Sequence, residues 1–137
     1  MAKRSYTSII ELLRGANLRP TRQRIGLGRL LFAGEQRHVT ADQLHFEAEH
    51  VGLSVSLATV YNTLHQFCEA GLLREVVVEP GRSYFDTNTG RHHHFFNVER
   101  GELQDIPAEL ISVESLPRPP EGTHVDSVDI VVRIRND

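Results

Sequence analysis

Ser56-Leu57-Ala58-Thr59-Val60-Tyr61-Asn62-Thr63-Leu64-His65-Gln66-Phe67-Cys68-Glu69-Ala70 reads as one helix with two unlike faces. Placed at ~100° per residue, Leu57, Val60, Leu64, Phe67 and Cys68 form an apolar arc. Ala58, Thr59, Asn62, Gln66 and Glu69 lie opposite, with Tyr61 on the flank. The N-terminal turns of that outer face carry small and hydrogen-bonding side chains, not the lysine and glutamate of an ordinary solvent face. Such a surface suits contact with base edges in a major groove, a threonine methyl against thymine and asparagine toward adenine. An ordinary polar helix face is the alternative, and the neighbouring segments weigh against it.

Gly71 ends the helix, and Leu73–Val78 and Arg82–Asp86 are strand-like around the turn Glu79-Pro80-Gly81. Upstream, Thr40-Ala41-Asp42-Gln43 has the capping-box pattern and opens a helix to about His50, closed by Gly52. Two earlier helices are expected. Tyr6–Ala16 carries Ile9, Ile10, Leu12 and Leu13, and a second starts at Thr21 and runs through Ile25, Leu27, Leu30, Leu31 and Phe32 to Gly34. Helices followed by a hairpin make the winged helix-turn-helix arrangement, in which the second helix of the pair enters the groove and the hairpin rides on the backbone.

Charge is divided along the chain. Its net value is −3, yet Met1 to Arg37 holds eight basic residues (Lys3, Arg4, Arg14, Arg19, Arg22, Arg24, Arg29, Arg37) against Glu11 and Glu35. A basic end on an acidic protein is an electrostatic footprint for phosphate that the whole-chain balance hides. Basic residues of the first two helices are then expected to contact phosphate, fixing register without reading sequence.

After Asp86 the composition changes. Strands are expected at His92–Val98, Glu102–Ile106 and Asp126–Arg135, the last because Val128, Ile130, Val132 and Ile134 alternate with polar neighbours. The expected fold is therefore α+β, with a winged-helix domain over residues 1–86 and a small α/β dimerisation and sensing domain over residues 87–137. About fifty residues bury too little to stand alone. Pairing with a second copy across an exposed strand edge, a homodimer, is the economical solution.

Period two puts His92 and His94 on one face of their strand and His93 on the other, with Asp86 a few residues upstream. Imidazole plus carboxylate suits zinc, iron or manganese. A solvated turn, or histidines packed for structural reasons, is the alternative. The single cysteine, Cys68, builds neither a disulfide nor a cysteine-rich zinc site, and is read as a core thiol. His45, His50 and His65 are read as surface or helix-flank residues. No run of eighteen apolar residues suggests a membrane span, and no apolar stretch follows Met1–Thr7 to make a secretory signal. A reducing cytoplasm is the expected location. A small metal-dependent enzyme is the rival class, but no His-Glu-x-x-His, nucleophile elbow or phosphate loop is present, so no catalytic residue is expected.

Leu18-Arg19-Pro20-Thr21-Arg22-Gln23-Arg24, Thr40-Ala41, Ser56-Leu57-Ala58-Thr59-Val60-Tyr61, Gly71-Leu72 and Tyr84-Phe85-Asp86 resemble, in order, segments of the ferric uptake regulator family. That family comprises dimeric winged-helix regulators that sense metals, and the likeness covers roughly residues 6–106. Asn62 after Tyr61, His92-His93-His94-Phe95-Phe96, Leu103–Pro107 and Val128–Arg135 look like its iron response regulator branch, known for responding to haem. The resemblance implies a regulatory metal site at His38, Asp86, His92 and His94. It also implicates the histidine triplet in haem binding, with His93 and His124 as candidates for a second metal or haem site. Lys3, Arg4, Arg19, Arg24, Ser56, Ala58, Thr59, Tyr61 and Asn62 would face double-stranded operator DNA. The implied function is iron homeostasis, with DNA bound when iron is scarce and released by haem. A repressor activated by divalent manganese, iron or zinc is the alternative within the family. Two Cys-x-x-Cys pairs that hold a structural zinc in many members are absent, as is the branch's Cys-Pro haem motif.

Overall fold

The computed structural model describes residues 6–137, in two compact units that divide between Thr89 and Gly90. Lys3 and Arg4 lie outside the described residues. Thr87 belongs with the first unit because its amide donates to the Arg37 carbonyl (2.9 Å) and its Oγ1 accepts from the Arg37 amide (2.9 Å). The division therefore falls three residues beyond the expected boundary at Asp86.

The first unit runs α1 (Tyr6–Gly15), α2 (Arg22–Phe32), β1 (His38–Val39), α3 (Ala41–His50), α4 (Leu57–Glu69), β2 (Arg74–Glu79) and β3 (Arg82–Asp86). Helix starts follow local chemistry. Thr21, Thr40 and Ser56 each sit in extended backbone, and each side-chain oxygen accepts from the amide three residues on. The ends of α1, α3 and α4 share one closure. Past each cap stands a residue with positive φ (Asn17, Gly52 or Gly71), and the next amide reaches back to Leu13, Ala48 or Phe67.

The apolar arcs of these helices meet in one core of Ile9, Leu13, Leu27, Leu31, Leu44, Ala48, Val60, Leu64 and Phe67, joined by Val39, Leu73 and Phe85 from the strands and the residue before β2. Each such side chain contributes about 1.5–3 kcal/mol relative to exposure. Thr63 is buried within α4 beside this arc, and Cys68 is only half-buried against it. The hairpin of β2 and β3 is antiparallel, as expected for the wing, but the sheet has a third member in the order β1-β3-β2. β1 has two residues, too short to show a period, and is a strand only because β3 pairs with it.

The second unit holds β4 (His92–Asn97), β5 (Glu102–Pro107), a 3₁₀ turn over Ala108–Leu110 and β6 (Val131–Ile134). Strand order is β5-β4-β6, with β4–β5 antiparallel and β4–β6 parallel, leaving β6 at an edge. The last strand is shorter than its alternating pattern. The Ile130 amide donates to the His93 ring (Nδ1, 3.1 Å), so the ladder begins at Val131 opposite His94. Its core is slight: Phe96, Leu103 and Ile106 are buried, while Leu110 (72% exposed), Val113, Leu116, Val125, Val132 and Ile134 face outward.

Candidate metal centre and nucleic-acid interface

In the second unit, alternation along β4 puts the His92 and His94 rings together, centroids 4.5 Å apart. Antiparallel pairing then sets Asp105 of β5 directly opposite His94. The Asp105 Oδ1 lies 3.3 Å from His94 Nε2 and 3.5 Å from His92 Nε2. One ligand-type atom from each of these three residues falls within 4.8 Å of the other two. Both histidines are buried (6% and 4% exposed), whereas Asp105 is half open to solvent.

The tautomer of His92 follows from its other nitrogen. Nδ1 lies 2.7 Å from the Gly90 carbonyl, an acceptor only, so the ring proton sits on Nδ1. In the neutral ring Nε2 then presents its lone pair toward Asp105, the arrangement that orients a metal-ligating histidine. Two acceptors facing each other at this distance call for a cation or a proton between them.

Asp105 is the residue that sequence reasoning missed. Its signal was available, since a short turn after Asn97 pairs residue 94 with 105 once the hairpin is assumed.

His93 points the other way, as period two requires, and its Nδ1 accepts from the Ile130 amide. A ring in that tautomer carries its proton on Nε2 and has no lone pair left for a metal or haem iron. His124 is exposed in a stretch without regular structure. Among the described residues, neither His93 nor His124 joins a group of metal-type side chains.

In the first unit, His38 and Asp86 are direct cross-strand partners on β1 and β3. The His38 ring meets Tyr84 edge-on (centroids 6.2 Å), and the buried Asp86 accepts the Asn88 amide at 2.9 Å. Each pair lies within its own unit: His38 with Asp86 on the first sheet, and His92 with His94 on one face of β4.

The outer face of α4 is laid out as the helical pattern predicts. Ser56, Ala58, Tyr61 (40% exposed) and Asn62 are open to solvent. Thr59 is half-buried and engaged in the cap, its amide donating to Ser56 Oγ (3.1 Å) and its hydroxyl accepting from it (3.0 Å). Arg24 reaches the same surface. Its Nε and Nη2 donate to Gln66 Oε1 (3.3 and 3.0 Å), and Nη1 to the Arg19 carbonyl (3.0 Å). The Arg24 guanidinium is thus held at the side of the exposed polar face that carries Tyr61 and Asn62. Cys68, on the opposite flank, has its pKa pushed up to about 11 by burial and by Glu75 and Glu69, so it stays a protonated, weakly nucleophilic thiol near neutral pH.

Comparison with known proteins agrees with this anatomy. The sequence profile described as "Ferric uptake regulator family" matches residues 15–133. The ferric uptake regulation protein of Pseudomonas putida is 38% identical over 100 residues, covering 72% of this chain and 75% of that protein. The peroxide-responsive repressor PerR of Staphylococcus epidermidis is 32% identical over 122 residues, covering 88% and 77%. The solved structure of the ferric uptake regulator from Pseudomonas aeruginosa with manganese superposes with a TM-score of 0.70 at 27% identity, covering 93% of this chain and 97% of that one. This chain belongs to the ferric uptake regulator family, whose members are metal-responsive DNA-binding transcription regulators of α+β fold and not enzymes.

Proposed function

We propose that this protein is a homodimeric regulator of iron homeostasis whose hold on operator DNA depends on a divalent metal. The observation that carries the reading is the convergence of His92 Nε2, His94 Nε2 and the Asp105 carboxylate, with the His92 Nδ1–H donating to the Gly90 carbonyl. That donor set, two imidazoles and a carboxylate without thiolate, fits zinc, manganese or iron(II). His38 and Asp86, paired on their own sheet, complete the proposed set of His38, Asp86, His92 and His94, with Asp105 as a further donor. A bound cation would hold the two histidines and the carboxylates in one arrangement, and its free energy of binding favours whichever protein conformation offers them together.

Each subunit would lay α4 in a major groove, Tyr61 and Asn62 toward bases with Ser56, Ala58 and Thr59 beside them. Arg19, Arg24 and the N-terminal Lys3 and Arg4 would contact phosphates. Two such heads on one dimer read two half-sites. Release by haem, with DNA bound when iron is scarce, is supported only by the likeness of Asn62 and residues 92–96, 103–107 and 128–135 to the iron response regulator branch.

One experiment separates these readings. Protein stripped with a chelator is titrated with Mn²⁺, Zn²⁺ or haemin while a labelled operator, selected from random duplexes, reports binding by anisotropy. Metal dependence is expected, and His92→Ala with His94→Ala should abolish it. Release by haemin from the metal-loaded protein would restore the haem reading. A hold on the operator indifferent to metal and haemin alike would remove the sensing role altogether.

A further inference from the structure

We infer that Arg37, through Glu47, is the positioning residue that transmits metal occupancy to the DNA-binding helices. The inference rests on the metal-dependent reading above and deepens it. Arg37 precedes His38, and Thr87 follows Asp86, so the two residues flank the paired ligands of the first unit. They are locked to each other. The Arg37 amide donates to Thr87 Oγ1 (2.9 Å), and the Arg37 carbonyl accepts from the Thr87 amide (2.9 Å) and its hydroxyl (3.1 Å).

The Arg37 side chain leads away from the strands. Nη1 and Nη2 donate to the two carboxylate oxygens of Glu47 on α3, at 2.8 and 2.6 Å. That is the parallel fork only a guanidinium forms with a carboxylate. Nη1 also donates to the Leu30 carbonyl at 3.3 Å. Leu30 stands in the last turn of α2, where carbonyls have no helical partner and a cation is favoured. One side chain thus joins the end of α2 to the middle of α3, and its backbone is tied to the strand pair bearing His38 and Asp86. The guanidinium and carboxylate are mostly shielded (30% and 26% exposed), so the fork resists screening better than a surface pair does. A shift of the β1–β3 ladder on ligation has a stiff path into both helices, and α3 packs beside α4 through Leu44, Ala48, Val60 and Leu64. Being an equilibrium coupling, the effect must run both ways: operator must tighten metal binding by the factor by which metal tightens operator binding.

The test uses the full-length protein and Mn²⁺ as probe. The metal effect is the ratio of operator dissociation constants without and with Mn²⁺, compared among wild type, Arg37→Met, Arg37→Lys, Glu47→Gln and the exchanged pair Arg37→Glu with Glu47→Arg. Typical couplings are about 5–150-fold. Arg37→Met and Glu47→Gln should cut the metal effect at least about fivefold, while Mn²⁺ affinity in the absence of DNA changes less than about twofold. Arg37→Lys keeps the charge and loses the fork, so it should fall between, and the exchanged pair should recover part of the loss. Retention of the full metal effect in folded Arg37→Met and Glu47→Gln proteins overturns the inference alone. A wild type with no metal effect overturns the metal-dependent reading and this inference with it.

Discussion

Tyr61 and Asn62 stand exposed on the first turns of α4, whereas Arg24 beside them is tied to Gln66 and the Arg19 carbonyl. The roles proposed for the two kinds of residue predict different losses. Asn62→Ala is expected to relax preference at one base pair by about 1–3 kcal/mol, seen in competition among operators differing at single positions. Arg24→Ala should instead weaken all duplexes alike and lower the salt slope by about one. An Asn62→Ala protein with unchanged preference would put another face of the helix in the groove. Cys68 gives a second test. Its pKa is raised from 9.0 to about 11 in the folded chain, so the unfolded chain releases its proton first as pH rises. The stability this thiol contributes is complete below pH 9 and is lost as pH climbs toward 11. Denaturant melts of wild type and Cys68→Ala across that range should converge upward, and native labelling by a thiol reagent at pH 7 should be slow. At this scale the pair His92 and His94 was legible from alternation alone. The tautomer of His92 and the occupied Nδ1 of His93 were not, because both depend on carbonyl and amide groups that only folding brings near.

Helix α4 is bounded by two local devices. At its start Ser56 caps Thr59, and at its end Gly71, at φ +80°, lets the Leu72 amide return to the Phe67 carbonyl. Ser56→Ala should cost about 1 kcal/mol, and Gly71→Ala about 1–2 kcal/mol for the left-handed backbone. Urea midpoints measure both, and Ser56→Asp should retain most of the cap. Because Ser56 also holds Thr59 Oγ1, its loss should loosen the very turn that carries Ala58 and Tyr61. Helix ends were legible because their partners lie within five residues. β1 was not, since its two residues owe their state to β3, almost fifty positions away. The early end of β6 has the same origin: alternation reaches back to Val128, but the Ile130 amide is spent on a histidine ring.

Among the described residues no helix is long and apolar enough to cross a membrane. The second unit, with three buried large apolar side chains and six exposed ones, has the composition of half a core. Completion by a second copy along the open edge of β6 is expected. Ile134→Lys should convert the dimer to monomer, measured by sedimentation velocity, and weaken operator binding through loss of the second reading head. Dimers persisting with Ile134→Lys and Val132→Lys together would move the interface elsewhere.

Sequence was sufficient wherever the governing interactions are short in range. It determined the four helices and their caps, the wing, the two-faced α4 and the divided charge of the chain, because propensity, capping and periodicity act within a turn or two. It also named the histidine pair. Tertiary structure alone decided that β1 exists, that His93 serves the fold, and that Arg37 binds the ligand-bearing strands to α2 and α3. Those facts rest on hydrogen bonds and register between residues 7 to 50 positions apart. No local pattern encodes such partners, which are chosen only when strands pair and the buried polar groups must each find one.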